Sequence, residues 1–453
     1  MSATGSPRRV GDRRRPKGHT EVASPPGERR AKRAAGRHAP AVPRSSGSAG
    51  SVAPGALRGD HADAPLAGVR VLDLSRLLPG PVCTLHLADL GADVVKVEDT
   101  GAGDYARALG AKPGATSAFF RMVNRNKRSV ALDLKDARGR EAFLALARGA
   151  DIVVESFRPG VVASLGVGYE AVRAVRPAIV YASITGYGQS GPRAPAAGHD
   201  INYLGYAGVL DQTGTRGGPP ALANLQIADL LGGALGAAVA ILASVVGARA
   251  TGRGRHVDVA MADGALAHNI FALHALEQRG RTAPRGEDLL TGGVPCYGVY
   301  PTKDGRWLAV GALEDKFWRA LCAALDRPDL VAGQFASGGD GARVRAELDA
   351  VFGARTLADW VARLASVDAC VTPVATLDEA LSDPQFAARG MVVTAADGSR
   401  SYAPPWALSG HRFGVARAAP AQGEHTVEVL REAGYDGAAI DALMACGAAR
   451  TRG

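Results

Sequence analysis

From Leu66 onward the chain alternates short, almost wholly apolar runs with segments whose apolar residues recur every three or four positions. The runs 69–74, 94–97, 129–134, 152–155 and 179–184 have the length and branched composition of strands buried on both faces, while 81–90, 137–148 and 169–175 carry a helical period. Strand and helix in strict alternation predict an α/β domain with a mostly parallel sheet. The stretch 230–247 has no charge, but it is built from Ala and Gly as much as from Leu, Ile and Val, which predicts a buried helix packed closely on a neighbour rather than a membrane span. A strand pattern at 255–261 leads into a helix through His268 and Leu276, and Gly292, Gly293 and Pro295 then punctuate the chain. Beyond them, strands at 296–300 and 307–310 and helices starting from Glu314 and Leu357 predict a smaller α/β domain. The resulting division is a tail over 1–64, a large domain over 65–288, a small domain over 289–386 and a return segment to the large domain over 387–453.

Charge alters the picture only at one end. Residues 1–60 hold 13 of the 53 Lys and Arg but 4 of the 44 Asp and Glu, so the net charge of +9 belongs to them and the remainder balances at 40 of each. This segment is rich in Pro, Gly, Ser and Ala and poor in large apolar residues, which predicts a disordered extension. With the charge confined there, nucleic-acid binding by the body is not expected, nor is membrane insertion. The tail has no apolar core of a secretory signal, which makes the cytoplasm the default compartment. Cys83, Cys296, Cys322, Cys370 and Cys446 are far apart, with no metal-ligand spacing, and read as buried, reduced thiols.

Several motifs carry a resemblance. The segments 66–75 (LAGVRVLDLS), 90–98 (LGADVVKVE) and 124–134 (NRNKRSVALDL), continued by 157–160 (FRPG), 185–192 (TGYGQSGP) and 252–254 (GRG), resemble family III CoA transferases over roughly residues 66 to 430. The resemblance implies a large domain with a Rossmann-like sheet, a small domain and an interlocked homodimer acting on acyl-CoA, with no cofactor beyond the CoA moiety of the substrate and no metal. It also bears on a decoy: residues 186–191 satisfy GxGxxG after a strand, but Pro192 and Pro195 follow where a phosphate-binding helix would open, so no dinucleotide site is expected.

Within the family the chain is most similar to the branch that racemises 2-methylacyl-CoA thioesters. Asp229, just before the Gly/Ala-rich helix, matches an aspartate shared by racemases and transferases; at a helix N-terminus its ionised form would be favoured, suiting a base or a nucleophile. His199, in the motif 198–203 (GHDINY), stands where racemases of the family carry a histidine opposite that aspartate. Racemising a carbon α to a thioester requires two acid/base groups, one on each face, and His199 and Asp229 fill those roles. Glu314 matches a racemase glutamate that partners the histidine across the domains. Arg125, Asn126, Lys127, Arg128, Arg158 and Tyr203 stand where the resemblance implies CoA contacts. Residues 97–104 and 119–126 read more like transferases, whereas the short Thr291-Gly292-Gly293 loop is closer to racemases. The alternative reading is a CoA transferase in which Asp229 forms an aspartyl-CoA thioester.

Overall fold

The computed structural model describes residues 63–110, 116–394 and 398–452, so the basic tail lies outside the described residues. Six strands form one parallel sheet: β1 (Arg70–Asp73), β2 (Asp93–Glu98), β3 (Lys127–Leu132), β4 (Ile152–Glu155), β5 (Val180–Thr185) and β6 (Arg255–Ala260). Their order is β3-β2-β1-β4-β5-β6, so the winding reverses between β1 and β4. Polar groups at the carboxyl ends of β1 and β4 therefore face a crevice that no crossover fills, the usual ligand position in such sheets.

Both faces of the sheet are buried, which is why its strands read as apolar runs rather than alternating ones. Val71, Val94, Ile152, Val154, Val180 and Ala182 point into one core with the helices Pro79–Asp89 and Gly236–Thr251. Leu72, Val95, Val153 and Tyr181 point into the other with Ala137–Arg148, Thr426–Glu432 and Gly437–Ala445. Local chemistry agrees with the helix starts: Pro79 opens the first, and the Asp136 carboxylate caps the third by accepting from Arg138 N at 2.8 Å.

The helix expected over 230–247 runs Ala228–Thr251, and its first eight residues are wound as a π-helix. Gly232 and Gly264 meet so closely that a Cβ on Gly264 would lie 2.2 Å from the Gly232 Cα, the close approach the small residues allow. Full burial does not follow, however. Val239 and Val246 are 69% and 70% exposed, because one face packs on the sheet and the other has no neighbour among the described residues of the chain. By length and composition alone this helix is long and apolar enough to cross a membrane.

A second, antiparallel sheet follows, made of β7 (Tyr297–Pro301), β8 (Trp307–Gly311) and β9 (Val371–Pro373). The helices Asp315–Ala324, Gly338–Gly353 and Leu357–Leu364 cover it around a core of Trp318, Leu348, Phe352 and Trp360. After a two-stranded ribbon, β10 (Val392–Thr394) with β11 (Arg400–Tyr402), the chain ends on β12 (Ala449–Arg450), antiparallel to β3 at the edge of the first sheet. Three of the five thiols are buried as expected; Cys370, by contrast, is exposed at a left-handed residue (φ 51°) and Cys446 is half-buried.

Candidate active site

The residues expected to act together come from three elements on the carboxyl side of the first sheet. After β5 the glycine-rich segment 186–191 turns through Gly188 (φ 83°) and Gly191 (φ 91°), and no helix opens until Asp200–Tyr206. Gly186 is required there because a Cβ would sit 2.5 Å from the Tyr203 ring. His199 stands exposed at the N-cap of that helix, and its backbone N–H donates to the Asn202 Oδ1 at 3.0 Å. Tyr203 is buried, donates to the Gly198 carbonyl at 2.6 Å and meets Tyr187 edge-on at 5.2 Å.

Asp229 lies in the first turn of the π-helical stretch, a winding that often marks functional positions. Its backbone N–H donates to the Asp200 Oδ1 at 3.0 Å, which brings the start of one helix against the start of the other and sets two carboxylates side by side. Burial first, and the Asp200 charge second, push the Asp229 carboxyl up to about 7. The expectation that the helix N-terminus would favour the ionised form is reversed: the Asp200 carboxylate occupies the N–H, and no hydrogen bond reaches the Asp229 carboxylate from the described residues. Asp200 was missed as a member of the site, although its adjacency to His199 and two-residue distance from Asn202 were visible. Tyr203 is held up, to about 12, by burial and then by Asp229, while Arg158 opposes the shift. That places Arg158, exposed in the turn after β4, within electrostatic reach of the same cluster.

The other four expected CoA contacts are used inside the chain. Arg125 is buried in a two-pronged pair with Asp89 at 3.2 and 2.5 Å, and its guanidinium lies 5.0 Å from the Phe413 ring. Asn126, left-handed at φ 61°, donates to Asp89 Oδ1 and to the Gly414 carbonyl and accepts from Ala416 and Arg417 N–H groups, pinning the return segment. Lys127 is wholly buried, with Nζ within 3.1 Å of Asp73 Oδ2, the Pro81 carbonyl, Thr84 Oγ1 and Asn124 Oδ1. Arg128 joins β3 to Asp93, Glu428 and Glu432 at 2.5–3.0 Å. An ammonium with four protein partners has no donor to spare for a phosphate. Motif identity had pointed to ligand contact; the third dimension shows what the same residues hold together.

Glu314 stands at the N-cap position of the helix Asp315–Ala324 beside β8 without a side-chain capping bond, and no hydrogen bond or ion pair joins it to His199 or Asp229 among the described residues. A cavity of about 880 Å³ does open by the second sheet, between Arg345, Cys370 and the Thr291–Gly293 loop, but none of the expected site residues lines it. No group of His, Cys, Asp and Glu suited to a metal occurs among the described residues.

A doubly wound sheet with two neighbouring carboxylates, a histidine and a tyrosine beside its carboxyl edge defines an α/β protein with a candidate site for acid–base or nucleophilic chemistry. The chain belongs to CoA-transferase family III, whose model matches residues 66–426. It is 36% identical over 372 residues to human alpha-methylacyl-CoA racemase, covering 82% of this chain and 94% of that protein. Human succinyl-CoA:glutarate CoA-transferase is 32% identical over 396 residues, covering 84% and 89%. A crystal structure of a CAIB/BAIF family protein from Brucella suis superposes with a TM-score of 0.72 at 30% identity, covering 82% of this chain and 99% of that one. The family is enzymatic, with racemases and CoA transferases among its members.

Proposed function

We propose that the chain is an acyl-CoA racemase that inverts the α carbon of 2-methylacyl-CoA thioesters by two-base proton transfer between His199 and Asp229. The observation that carries this reading is the Asp229 carboxyl held near 7 beside the helix that His199 caps. A group half-protonated at neutral pH serves equally as base for one epimer and as acid for the other. One residue takes the α proton, the electron pair passes to the thioester oxygen, and the other residue returns a proton to the opposite face. Arg158, exposed in the turn after β4, would meet the CoA portion, whereas Tyr203, buried with its hydroxyl on the Gly198 carbonyl, supports the frame with Arg125, Asn126, Lys127 and Arg128. No cofactor, metal or nucleic acid enters the reaction, and the default compartment is the cytoplasm.

The working unit is a homodimer with a division at 288/289 between large and small domains. Exposed apolar residues support a second copy: Val239 and Val246 on one helix and Leu266, Ile270, Phe271 and Leu273 on the next two, five of these six being more than 60% exposed. Glu314 then partners His199 across that assembly rather than within one chain.

The second reading is a CoA transferase, favoured by transferase relatives of similar identity. The Asp229 carboxylate would attack the thioester and expel CoA thiolate; the thiolate would attack the resulting anhydride, leaving an aspartyl-CoA thioester and releasing the first acid. The discriminating experiment supplies a single epimer of a 2-methylacyl-CoA with no carboxylic acid. Appearance of the other epimer supports the racemase; transfer only after an acid is added supports the transferase.

A further inference from the structure

A second polar cluster lies on the same edge of the sheet, and the two-base chemistry does not use it. Glu155, Ser183 and Asp258 are in register across β4, β5 and β6. Glu155 is 1% exposed and Ser183 is 2% exposed. The Glu155 Oε2 accepts from the Phe157 N–H at 2.7 Å, the first bond of the turn that carries Arg158. Ser183 stands directly across from Glu155 on the neighbouring strand, and its Oγ lies 3.0 Å from Nε2 of His256. His256 is on the edge strand, exposed, with its ring stacked on Tyr169 at 5.2 Å.

We propose that Glu155, Ser183 and His256 form a proton-linked positioning unit for the Phe157–Arg158 turn, with Ser183 joining the buried carboxyl to solvent through His256. When neutral, the Glu155 hydroxyl donates to Ser183 Oγ and the Ser183 hydroxyl donates to an unprotonated Nε2. Ionisation passes the Glu155 proton to Ser183 Oγ while the Ser183 proton moves to Nε2, and Nδ1 releases its own proton to water. The carboxylate so formed holds the Phe157 N–H more strongly than the acid does, because a charged acceptor makes the stronger hydrogen bond.

The charges around Glu155 set the pH at which this occurs. Burial raises its carboxyl to about 7, Ser183 and the Phe157 N–H oppose the rise, and Asp258 on β6 adds to it. Asp258 is itself tied to the Gln189 N–H at 3.0 Å, in the glycine-rich segment. Arg76, after β1, lies over the Phe157 ring at 5.0 Å, and Glu170 faces His256 from the helix Tyr169–Val175. The bearing on substrate rests on the acyl-CoA reading; the coupling of Glu155 to the turn does not.

The test is hydrogen exchange of the segment 156–160 in the ligand-free, full-length protein between pH 5.5 and 8.5, referred to intrinsic exchange rates. Protection should rise about tenfold through neutral pH, the gain expected for a charged over a neutral acceptor. Glu155→Gln should keep the low-pH protection throughout, and Ser183→Ala should move the step to higher pH. A flat wild-type profile, or a step that survives in Glu155→Gln, overturns the proposal. Where acyl-CoA turnover is measurable, the step should appear in KM and not in kcat; loss of turnover in every form would count against the enzymatic reading while leaving the exchange result to judge the coupling.

Discussion

Asp229 and Lys127 show how burial sets the role of a charged group. The Asp229 carboxyl, raised to about 7 by burial and by Asp200, costs the fold stability once it must ionise. The unfolded chain releases that proton near the ordinary carboxylate value, so between there and about 7 the native state binds more protons and stability falls as pH rises. Asp229→Asn should therefore be about 1 kcal/mol more stable than wild type at pH 8, with no gain at pH 4, in urea melts, the effect being reduced by partial solvent contact. The same variant should lose turnover. In the racemase reading both epimers should share one bell-shaped kcat/KM profile, because racemisation takes up no net proton and its equilibrium constant does not change with pH, with one limb set by Asp229 near 7. A shared profile with no limb near 7 would remove Asp229 from the acid/base role. Lys127 is different in kind. Its ammonium is lowered to about 8 by burial, yet Asp73 and three neutral oxygens hold it in place. Lys127→Met should destabilise by roughly 3 kcal/mol, since the buried Asp73 loses a partner. Arg158→Ala, at an exposed turn, should leave the melting curve within about 0.5 kcal/mol and raise KM instead.

At the level of elements, strands and helices of the first sheet were legible because their burial on both faces writes continuous apolar runs, and 137–148, 152–155 and 169–175 match to the residue. What was not legible came from long-range contacts. The ion pairs of Arg125 and Arg128 join residues 35 to 304 positions apart, and β12 is only two residues long, so neither leaves a local pattern. The helix Gly338–Gly353 was missed because four glycines dilute its period. The π-helical winding at Ala228–Leu235 has no periodic signal either; within it, Gly232 lies directly on Gly264. Gly264→Ala should cost about 1–3 kcal/mol in the same urea melts, as overpacking does, and should perturb turnover by moving Asp229. Of the candidate site, Asp229, His199, Tyr203 and Arg158 are proposed from motif position. Asp200 was overlooked because a carboxylate next to a candidate histidine reads locally as a helix-start residue.

On the scale of the whole molecule, the chain presents acid/base residues beside one sheet, Glu314 beside another, and a broad apolar surface on the helices between them. The proposed dimer would account for all three features. Sedimentation should give a dimer at micromolar concentration, and Phe271→Asp with Val239→Asp should shift it toward monomer with loss of turnover; a wild-type monomer that is fully active would contradict the assignment of Glu314. The central claim, proton exchange at the α carbon between two residues of this chain, has a more direct test. Purified protein is incubated with a 2-methylacyl-CoA in deuterium oxide without any carboxylic acid, and deuterium at C2 is followed by mass spectrometry. Incorporation that disappears in both His199→Ala and Asp229→Asn is the result expected of a racemase. No incorporation across several acyl chains, with CoA transfer appearing once acids are supplied, would contradict it and make Asp229 a nucleophile.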